Sequence, residues 1–276
     1  MTARKQLVVN ADDFGFTRDV NLGIVEAHQR GILTATTLMA NGAAFDHAVK
    51  LARENPKLDI GAHLVLIGGR MTAAPNSALP ASVPRLLAAI AARRIPIYGE
   101  LSAQVRRILN AGIHPTHLDT HKHTHLAPPV LEAVARVAEE FGIHWVRRPF
   151  DLPLTAAQRG APLLKRVTSR GLGLARAHFH RVLEKHGCRT TDYFAGFQIT
   201  GRFRTEELVA LIRALPSGST ELMCHPGRCT EELLASSTRL KQSREEELTA
   251  LTAPETQRAI DETAVELVDY GGLVSP

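Results

Sequence analysis

Short apolar segments alternate with longer segments of helical periodicity along nearly the whole chain, and this alternation constrains the fold most strongly. The predicted strands are Leu7–Ala11, Thr34–Ala40, Leu58–Leu66, Pro115–Thr120, Ile143–Arg148, Thr191–Ile199 and Thr220–Cys224. The predicted helices are Val20–Arg30, Phe45–Arg53, Arg85–Arg93, Gly99–Ala111, Pro128–Phe141, Glu206–Ala214 and two helices within Thr238–Asp269. Such persistent alternation predicts a parallel sheet whose strands are joined by right-handed crossovers.

Polar residues follow the predicted strands where each strand ends, which favours a closed barrel over an open sheet. They are Asp12, Asp13, His63, Asp119, His121, Arg147, Arg148 and His225. In α/β barrels the active site forms at the C-terminal ends of several strands. The chain has no GxGxxG or GxxxxGK[ST] motif, so the usual mechanism of nucleotide phosphate binding is missing.

Length and composition predict one domain over residues 1–276. A chain of 276 residues with 44% hydrophobic residues can bury a sizeable core. We find no repeat and no dividing linker, but the basic, Leu-rich segment Asp151–Arg189 resembles a helical excursion. Three cysteines cannot form a disulfide framework and indicate a reducing compartment.

The charge pattern and the apolar runs exclude two classes of partner. The net charge is +5, but the arginines occur in scattered pairs rather than in the single cluster that nucleic-acid binding requires. The first aspartates occur before the apolar region of a signal peptide could form, and the longest apolar run, Leu86–Ala92, is far too short to span a membrane. We therefore expect a soluble cytoplasmic protein, with peripheral membrane association only if the substrate is lipid-linked.

The segment from His114 to His125 holds five histidines and one aspartate in twelve residues. From His117 onwards they occupy every second position, so in an extended chain they share one face at steps of about 6.6 Å. One ion with ligands at about 2 Å cannot engage them all. We expect one or two to bind a metal and the others to support the ligands or contact substrate.

Two further elements complete a candidate metal centre. Adjacent strand residues point to opposite faces, but the turn after the first strand can bring Asp12 and Asp13 together at the barrel mouth. One carboxylate can then bind a cation while the other takes a proton from water. His63 interrupts an apolar strand, and with Asp13 and one clustered histidine it forms a set that suits a hydrolytic metal ion.

His225 follows the Thr220–Cys224 strand and is a candidate for proton transfer near neutral pH. Its neighbour Cys224 is predicted to be a small buried residue rather than a zinc ligand. Arg148 is a candidate for a bidentate contact with a carboxylate, and a plain surface arginine is the alternative.

These residues lie in motifs that resemble the YdjC-like carbohydrate deacetylases over nearly the whole chain. The most specific motifs are Asn10–Gly15 (NADDFG), Asn41–Gly42, Gly61–Leu64 (GAHL), Thr116–His125 (THLDTHKHTH) and Cys224–Gly227 (CHPG). The resemblance implies a distorted (β/α) TIM-like barrel and metal-dependent removal of an N-acetyl group from an amino sugar. It also suggests a homodimer, because barrels of this kind often pair.

The resemblance also implies roles for individual residues. Asp13, His63 and His121 would bind the metal. By similarity to the more distant polysaccharide deacetylases, Asp12 would be the general base, His225 the general acid and Arg148 the arginine that orients the base. The remaining motif residues would contact substrate or support the ligands: Asn10, Phe14, Asp119, His123, His125, Cys224 and Pro226.

The metal and the substrate stay open at this stage. One aspartate and two histidines accommodate Mg²⁺, Zn²⁺, Mn²⁺ or Co²⁺. Within the family the substrate would be a chitooligosaccharide or an acetylglucosaminyl hopanoid lipid. The alternatives are a metal-dependent phosphoesterase or amidohydrolase barrel, which commonly carries an HxH pair after its first strand, and a sugar-binding barrel without turnover.

Overall fold

A curled, all-parallel sheet surrounded by helices forms the protein. The computed structural model describes residues 4–152 and 175–273. Along the chain the strands and helices are β1 (Lys5–Phe14), α1 (Arg18–Arg30), β2 (Ala35–Leu38), α2 (Phe45–Glu54), β3 (Asp59–Leu64), α3 (Val83–Ala91), α4 (Ile97–Asn110), β4 (His117–Thr120), a 3₁₀ helix (His121–Leu126), α5 (Pro128–Phe141), β5 (Trp145–Val146), α6 (Arg176–Lys185), β6 (Tyr193–Ala195), α7 (Thr205–Arg213), β7 (Gly218–Cys224), α8 (Glu231–Ala235), α9 (Gln242–Thr252), α10 (Pro254–Thr263) and β8 (Val265–Leu267).

The strands follow the order β5-β4-β3-β2-β1-β7-β6, and every pairing is parallel. The sequence analysis missed β8, which pairs with the first residues of β1. The later residues of β1, from Asn10 onwards, pair with β2 along the same edge. Isolated parallel bridges join Trp145 to Arg189 and Asp151 to Phe194. The segment after β5 therefore meets β6, and the sheet approximates the distorted (β/α) barrel that the sequence predicts.

The period of two in β1 separates an apolar outer face from a polar interior. Leu7, Val9 and Ala11 are buried in the core cluster that also contains the apolar residues of α1. The alternate residues Asn10 and Asp12 are also buried but belong to no apolar cluster. Because side chains alternate across a strand, the main hydrophobic core lies between sheet and helices, and the barrel interior carries the polar groups.

Local signals account for the helix boundaries. Thr17 caps α1, because its side chain accepts a hydrogen bond from Val20 N at 3.2 Å. α5 begins with Pro128 and is capped after Phe141 by Gly142, whose φ of 66° is left-handed. Of the predicted excursion at 151–189, residues 153–174 lie outside the described part, and α6 is helical as expected. In the two described ranges no helix has the length and hydropathy needed to cross a membrane.

Candidate active site

Polar side chains from β1, β3, β4, β7 and the segment after β5 converge at the C-terminal ends of the strands. Parallel strands place those ends at one edge of the sheet, which is where α/β barrels build their sites. Asp12, Asp13, His63, Asp119 and Arg147 are all buried there. The sequence analysis predicted this position from the polar residue that ends each strand.

A β-bulge brings the two adjacent aspartates together. Ala11 pairs with Thr36 and Phe14 with Leu38, so β1 has one more residue than β2 between these pairs. Asp13 is that extra residue, and its φ of 71° is left-handed. The bulge turns Asp13 out of the strand alternation, so that both carboxylates reach the same mouth. Left-handed backbone at a non-glycine residue stores strain, which is common at functional sites.

Three side-chain atoms form a compact triangle at this mouth. Asp13 Oδ1 lies 3.4 Å from His63 Nε2 and 3.3 Å from His121 Nδ1, and the two nitrogens are 3.2 Å apart. Ligands about 2.1 Å from one ion and about 90–109° apart would be separated by roughly 3.0–3.4 Å. Among the described residues, buried Asp13 Oδ1 makes no hydrogen bond. The donor set therefore fits one divalent cation.

Hydrogen bonds orient the His63 ring toward this triangle. Its Nδ1 lies 2.6 Å from Asp119 Oδ1 and 3.1 Å from Thr37 Oγ1, so Nε2 is the nitrogen that faces Asp13. Burial lowers the pKa of His63, but Asp119, Asp13 and Asp12 raise it to about 10. The surrounding carboxylates therefore favour a positive charge at this place. A carboxylate on the distal ring nitrogen is the usual support of a metal-binding histidine.

Arg147 connects three strands in the interior of the barrel. Its Nη1 and Nη2 donate to the two oxygens of Asp12 at 2.9 and 2.7 Å, and its Nη1 lies 2.6 Å from Asp119 Oδ2. Its Nε donates to Glu221 Oε1 at 2.6 Å. Burial raises the pKa of Asp12, but Arg147, His63 and His225 lower it below its ordinary value. Asp12 is thus an oriented carboxylate.

The arginine on Asp12 is not the predicted one. The sequence analysis assigned that contact to Arg148, whereas Arg148 donates to the main-chain oxygen of Asp192. Because successive residues of an extended chain point to opposite sides, Arg147 enters the barrel and Arg148 leaves it. The residue before the predicted one therefore makes the contact with Asp12.

A second group of ligand atoms, from Asp12, His63 and Asp119, also lies close together. Arg147 already donates to both oxygens of Asp12 and contacts Asp119 Oδ2, and His63 occupies Asp119 Oδ1. Since these oxygens have partners and Asp13 Oδ1 makes no hydrogen bond among the described residues, the set with Asp13 and His121 is the better candidate for a metal site.

His225 lies beside Asp12 on the loop after β7. Its Nε2 is 3.8 Å from Asp12 Oδ2, and its main-chain nitrogen donates to Glu247 Oε2 at 2.5 Å. Burial lowers the pKa of His225 to about 4 against the opposing effect of Asp12 and Asp13. The imidazole is therefore neutral at pH 7. Burial also disfavours the charged form of Glu247 and so raises the pKa of this carboxyl group to about 7.

The clustered histidines do not share one extended face. β4 ends at Thr120, and His121–Leu126 forms a 3₁₀ helix in which Lys122 and His123 have φ of 57° and 50°. Only His121 reaches the triangle with Asp13 and His63. His125 is buried between Thr120 Oγ1 and the main-chain oxygen of Arg147.

The other clustered side chains pack inside the protein. The ring of His123 meets Phe194 and Phe197 edge-on, and His117 stacks on Tyr270 with ring centres 3.8 Å apart. Burial lowers the pKa of both His117 and His123 well below the ordinary value, so both are neutral. Neither side chain belongs to the triangle of Asp13, His63 and His121.

Four predicted neighbours of the site are buried. Asn10 Nδ2 donates to Glu221 Oε1 at 3.1 Å, which ties it to the Arg147 network. Phe14 and Cys224 lie in the hydrophobic core, as the sequence predicted for the cysteine. Pro226 follows His225 and is also buried.

Sequence reasoning missed four residues of the site, the first of which is Thr37 on β2, 3.1 Å from His63 Nδ1. Glu221 contacts Arg147 from β7, and Arg244 and Glu247 reach the site from α9. Burial raises the pKa of Asp13, but Arg244, His121 and His63 lower it well below its ordinary value. The sequence gives no signal for Arg244 and Glu247, because they are two of several charged residues in α9, which resembles a solvent-exposed helix.

Comparison with known proteins decides the family. Residues 6–262 match the profile of the YdjC-like proteins. The chain belongs to the YdjC-like family. A carbohydrate deacetylase from Geobacillus stearothermophilus is 35% identical over 272 residues, which is 95% of this chain and 96% of the relative. A chitooligosaccharide deacetylase from Klebsiella pneumoniae is 32% identical over 274 residues, covering 96% and 97% of the two chains.

Solved structures share the fold of this YdjC-like protein. A protein from Enterococcus faecalis V583, for which cellobiose-phosphate cleavage has been suggested, superposes with a TM-score of 0.77 at 23% identity, covering 99% of this chain and all of the other. A lactam utilization protein from Thermus thermophilus superposes with a TM-score of 0.51 at 14% identity, over 95% and 98% of the chains. At these identities the likeness concerns the fold alone.

The loop that carries His225 in this YdjC-like protein requires a glycine in α1. A Cβ on Gly23 would lie 2.4 Å from Gly227 Cα, and neither backbone can move freely. We expect Gly23→Ala to lower the free energy of unfolding by about 1–3 kcal/mol, as overpacking does. Displacement of the His225 loop should also reduce turnover.

Gly99, in the first turn of α4, is the matched control. A Cβ there meets only Pro96 Cβ at 4.0 Å. Gly99→Ala should raise the free energy of unfolding by up to ~1 kcal/mol, because alanine has the better helix propensity. Urea unfolding of both variants measures the difference, and equal effects at the two positions would contradict the packing argument.

Proposed function

We propose that this protein is a metal-dependent carbohydrate N-deacetylase. The observation that carries the proposal is the triangle of Asp13, His63 and His121 beside an arginine-oriented Asp12. Its relatives of 32–35% identity are carbohydrate and chitooligosaccharide deacetylases. The substrate would be an N-acetylglucosamine unit, and the products would be acetate and a free amino sugar.

Asp13, His63 and His121 would hold one divalent cation, with Mg²⁺ or Zn²⁺ expected first and Mn²⁺ or Co²⁺ as alternatives. Such a cation supplies positive charge that polarises an acetyl carbonyl and makes water more acidic. His121 is a quarter exposed, whereas His63 and Asp13 are almost completely buried. The ligand set thus opens toward solvent at the barrel mouth, where a sugar could enter.

Asp12 would accept a proton from the attacking water. Both of its oxygens are held by Arg147, so its position does not change as charge develops. The oxygen of water bonds to the acetyl carbon, and the bond from that carbon to the sugar nitrogen breaks. His225, neutral at rest and 3.8 Å from Asp12 Oδ2, would receive the proton that Asp12 takes from the water and deliver it to the departing nitrogen.

The finer substrate assignment distinguishes a chitooligosaccharide from a lipid-linked acetylglucosamine such as an acetylglucosaminyl hopanoid. The chitooligosaccharide is supported by the Klebsiella pneumoniae relative. The lipid rests on the basic segment at 151–189, most of which lies outside the described residues. We propose the oligosaccharide as the first substrate to test.

Acetate release tests this function directly. Metal-stripped protein is resupplied with Mg²⁺, Zn²⁺, Mn²⁺ or Co²⁺ and offered N-acetylglucosamine oligomers or an N-acetylglucosaminyl lipid. We expect release that requires metal, and fully deacetylated oligomers serve as the blank. Absence of acetate with every metal, together with phosphate release from phosphomonoesters, would favour the phosphoesterase alternative and overturn the proposal.

A further inference from the structure

α9 delivers a buried arginine to the proposed metal centre. Arg244 is only 1% exposed, and its Nη2 donates to Asp13 Oδ2 at 2.5 Å. Its Nε donates to the main-chain oxygen of Leu240 at 3.3 Å, which orients the guanidinium group. Asp13 and Arg244 are 231 residues apart in the sequence, so only the tertiary fold brings them together.

The two oxygens of Asp13 have different surroundings. Oδ2 is occupied by Arg244, whereas Oδ1 has no hydrogen bond among the described residues and lies 3.3–3.4 Å from the His121 and His63 nitrogens. A free carboxylate can bind a cation through one oxygen or through both. With Oδ2 occupied, only Oδ1 remains for an ion.

We propose that Arg244 is a positioning residue that holds Asp13 as a one-oxygen metal ligand. This inference rests on the proposed function, because it concerns the same cation. A ligand that uses one oxygen leaves coordination positions free for water and for the acetyl group. A bidentate Asp13 would fill one of them.

The backbone explains why Asp13 needs this support. Asp13 lies in a bulge with left-handed φ, where the regular pairing of the sheet does not define the side-chain direction. Arg244 is itself fixed beside the loop that carries His225, since its main-chain oxygen accepts a hydrogen bond from Gly227 N at 3.2 Å. α9 thereby fixes the Asp13 carboxylate relative to the loop that follows His225.

Cobalt binding tests the inference without measuring turnover. We compare wild-type protein with Arg244→Met, which keeps the side-chain length but removes every donor, and with Arg244→Lys, which keeps one charged donor. Arg213→Met is the control, because Arg213 is exposed and pairs with Glu262 on the outer helices. Titration gives the dissociation constant for Co²⁺, and the visible d–d absorption reports its coordination number.

We expect Arg244→Met to bind Co²⁺ about 10–100-fold more weakly, the usual loss when a residue that supports a metal ligand is removed. Its absorption should indicate a higher coordination number as Asp13 Oδ2 joins the ion. Arg244→Lys should restore much of the wild-type spectrum, and Arg213→Met should match wild type. Circular dichroism checks that each variant is folded. If Arg244→Met does not fold, the comparison of Arg244→Lys with wild type decides the test.

The outcomes separate this inference from the proposed function. Wild-type protein that binds no Co²⁺ would overturn both. Wild-type protein that binds one Co²⁺, with folded Arg244 variants of unchanged affinity and spectrum, would overturn the role of Arg244 and leave the proposed function standing.

Discussion

Asp12→Asn should abolish most acetate release while the protein still binds one metal ion. Asparagine keeps the shape of the side chain but cannot accept the proton of water, and loss of a general base typically reduces turnover roughly 10²- to 10⁴-fold. Asp12 lies outside the triangle of Asp13 Oδ1, His63 Nε2 and His121 Nδ1, so the ligands stay in place. Turnover and bound metal are measured on the same preparation.

Asp13→Asn is the matched comparison, because the two aspartates are adjacent in the same bulge. This variant should lose metal, since an amide oxygen is a poorer ligand than a carboxylate and the charge opposite Arg244 is removed. Near-normal turnover in Asp12→Asn would refute Asp12 as the base. Loss of metal from Asp12→Asn with retention in Asp13→Asn would instead support the set of Asp12, His63 and Asp119.

Arg147→Met should cause the largest loss of stability that we expect from one substitution at this site. Arg147 is 1% exposed and contacts the carboxylates of Asp12, Asp119 and Glu221. Burial lowers the pKa of Arg147, but these three carboxyl groups raise it well above its ordinary value. Removing one partner of a buried ion pair costs about 3–5 kcal/mol because the remaining charges stay buried without compensation.

Arg148→Met is the neighbouring control. Arg148 contacts a main-chain oxygen of Asp192 rather than a carboxylate, so its loss should cost about 0.5–1.5 kcal/mol, as for one hydrogen bond. Urea unfolding of the metal-free variants measures both values. Turnover should fall in Arg147→Met because Asp12 is no longer oriented. A larger effect of Arg148→Met on either measurement would restore the assignment made from the sequence.

The sequence by itself determined the architecture and the place of the site. Alternation of apolar strands with helical segments predicts parallel pairing, because each element must bury one face against the next. The polar residues at the ends of the strands predict that the site lies at the C-terminal mouth of the barrel. The motifs indicate Asp13, His63 and His121, and the structure brings these three together.

Only the tertiary structure decided which groups support those residues. Whether Arg147 or Arg148 contacts Asp12 depends on the direction of the chain after β5. This strand has only two residues, which are too few to show an alternation of side chains in the sequence. The contact between Arg244 and Asp13 depends on where α9 packs against the curled sheet. Periodicity shows which face of a helix or strand is apolar. Contacts between elements that are distant in the sequence depend on how those elements are rotated and shifted relative to one another, which is defined only when the whole core has packed.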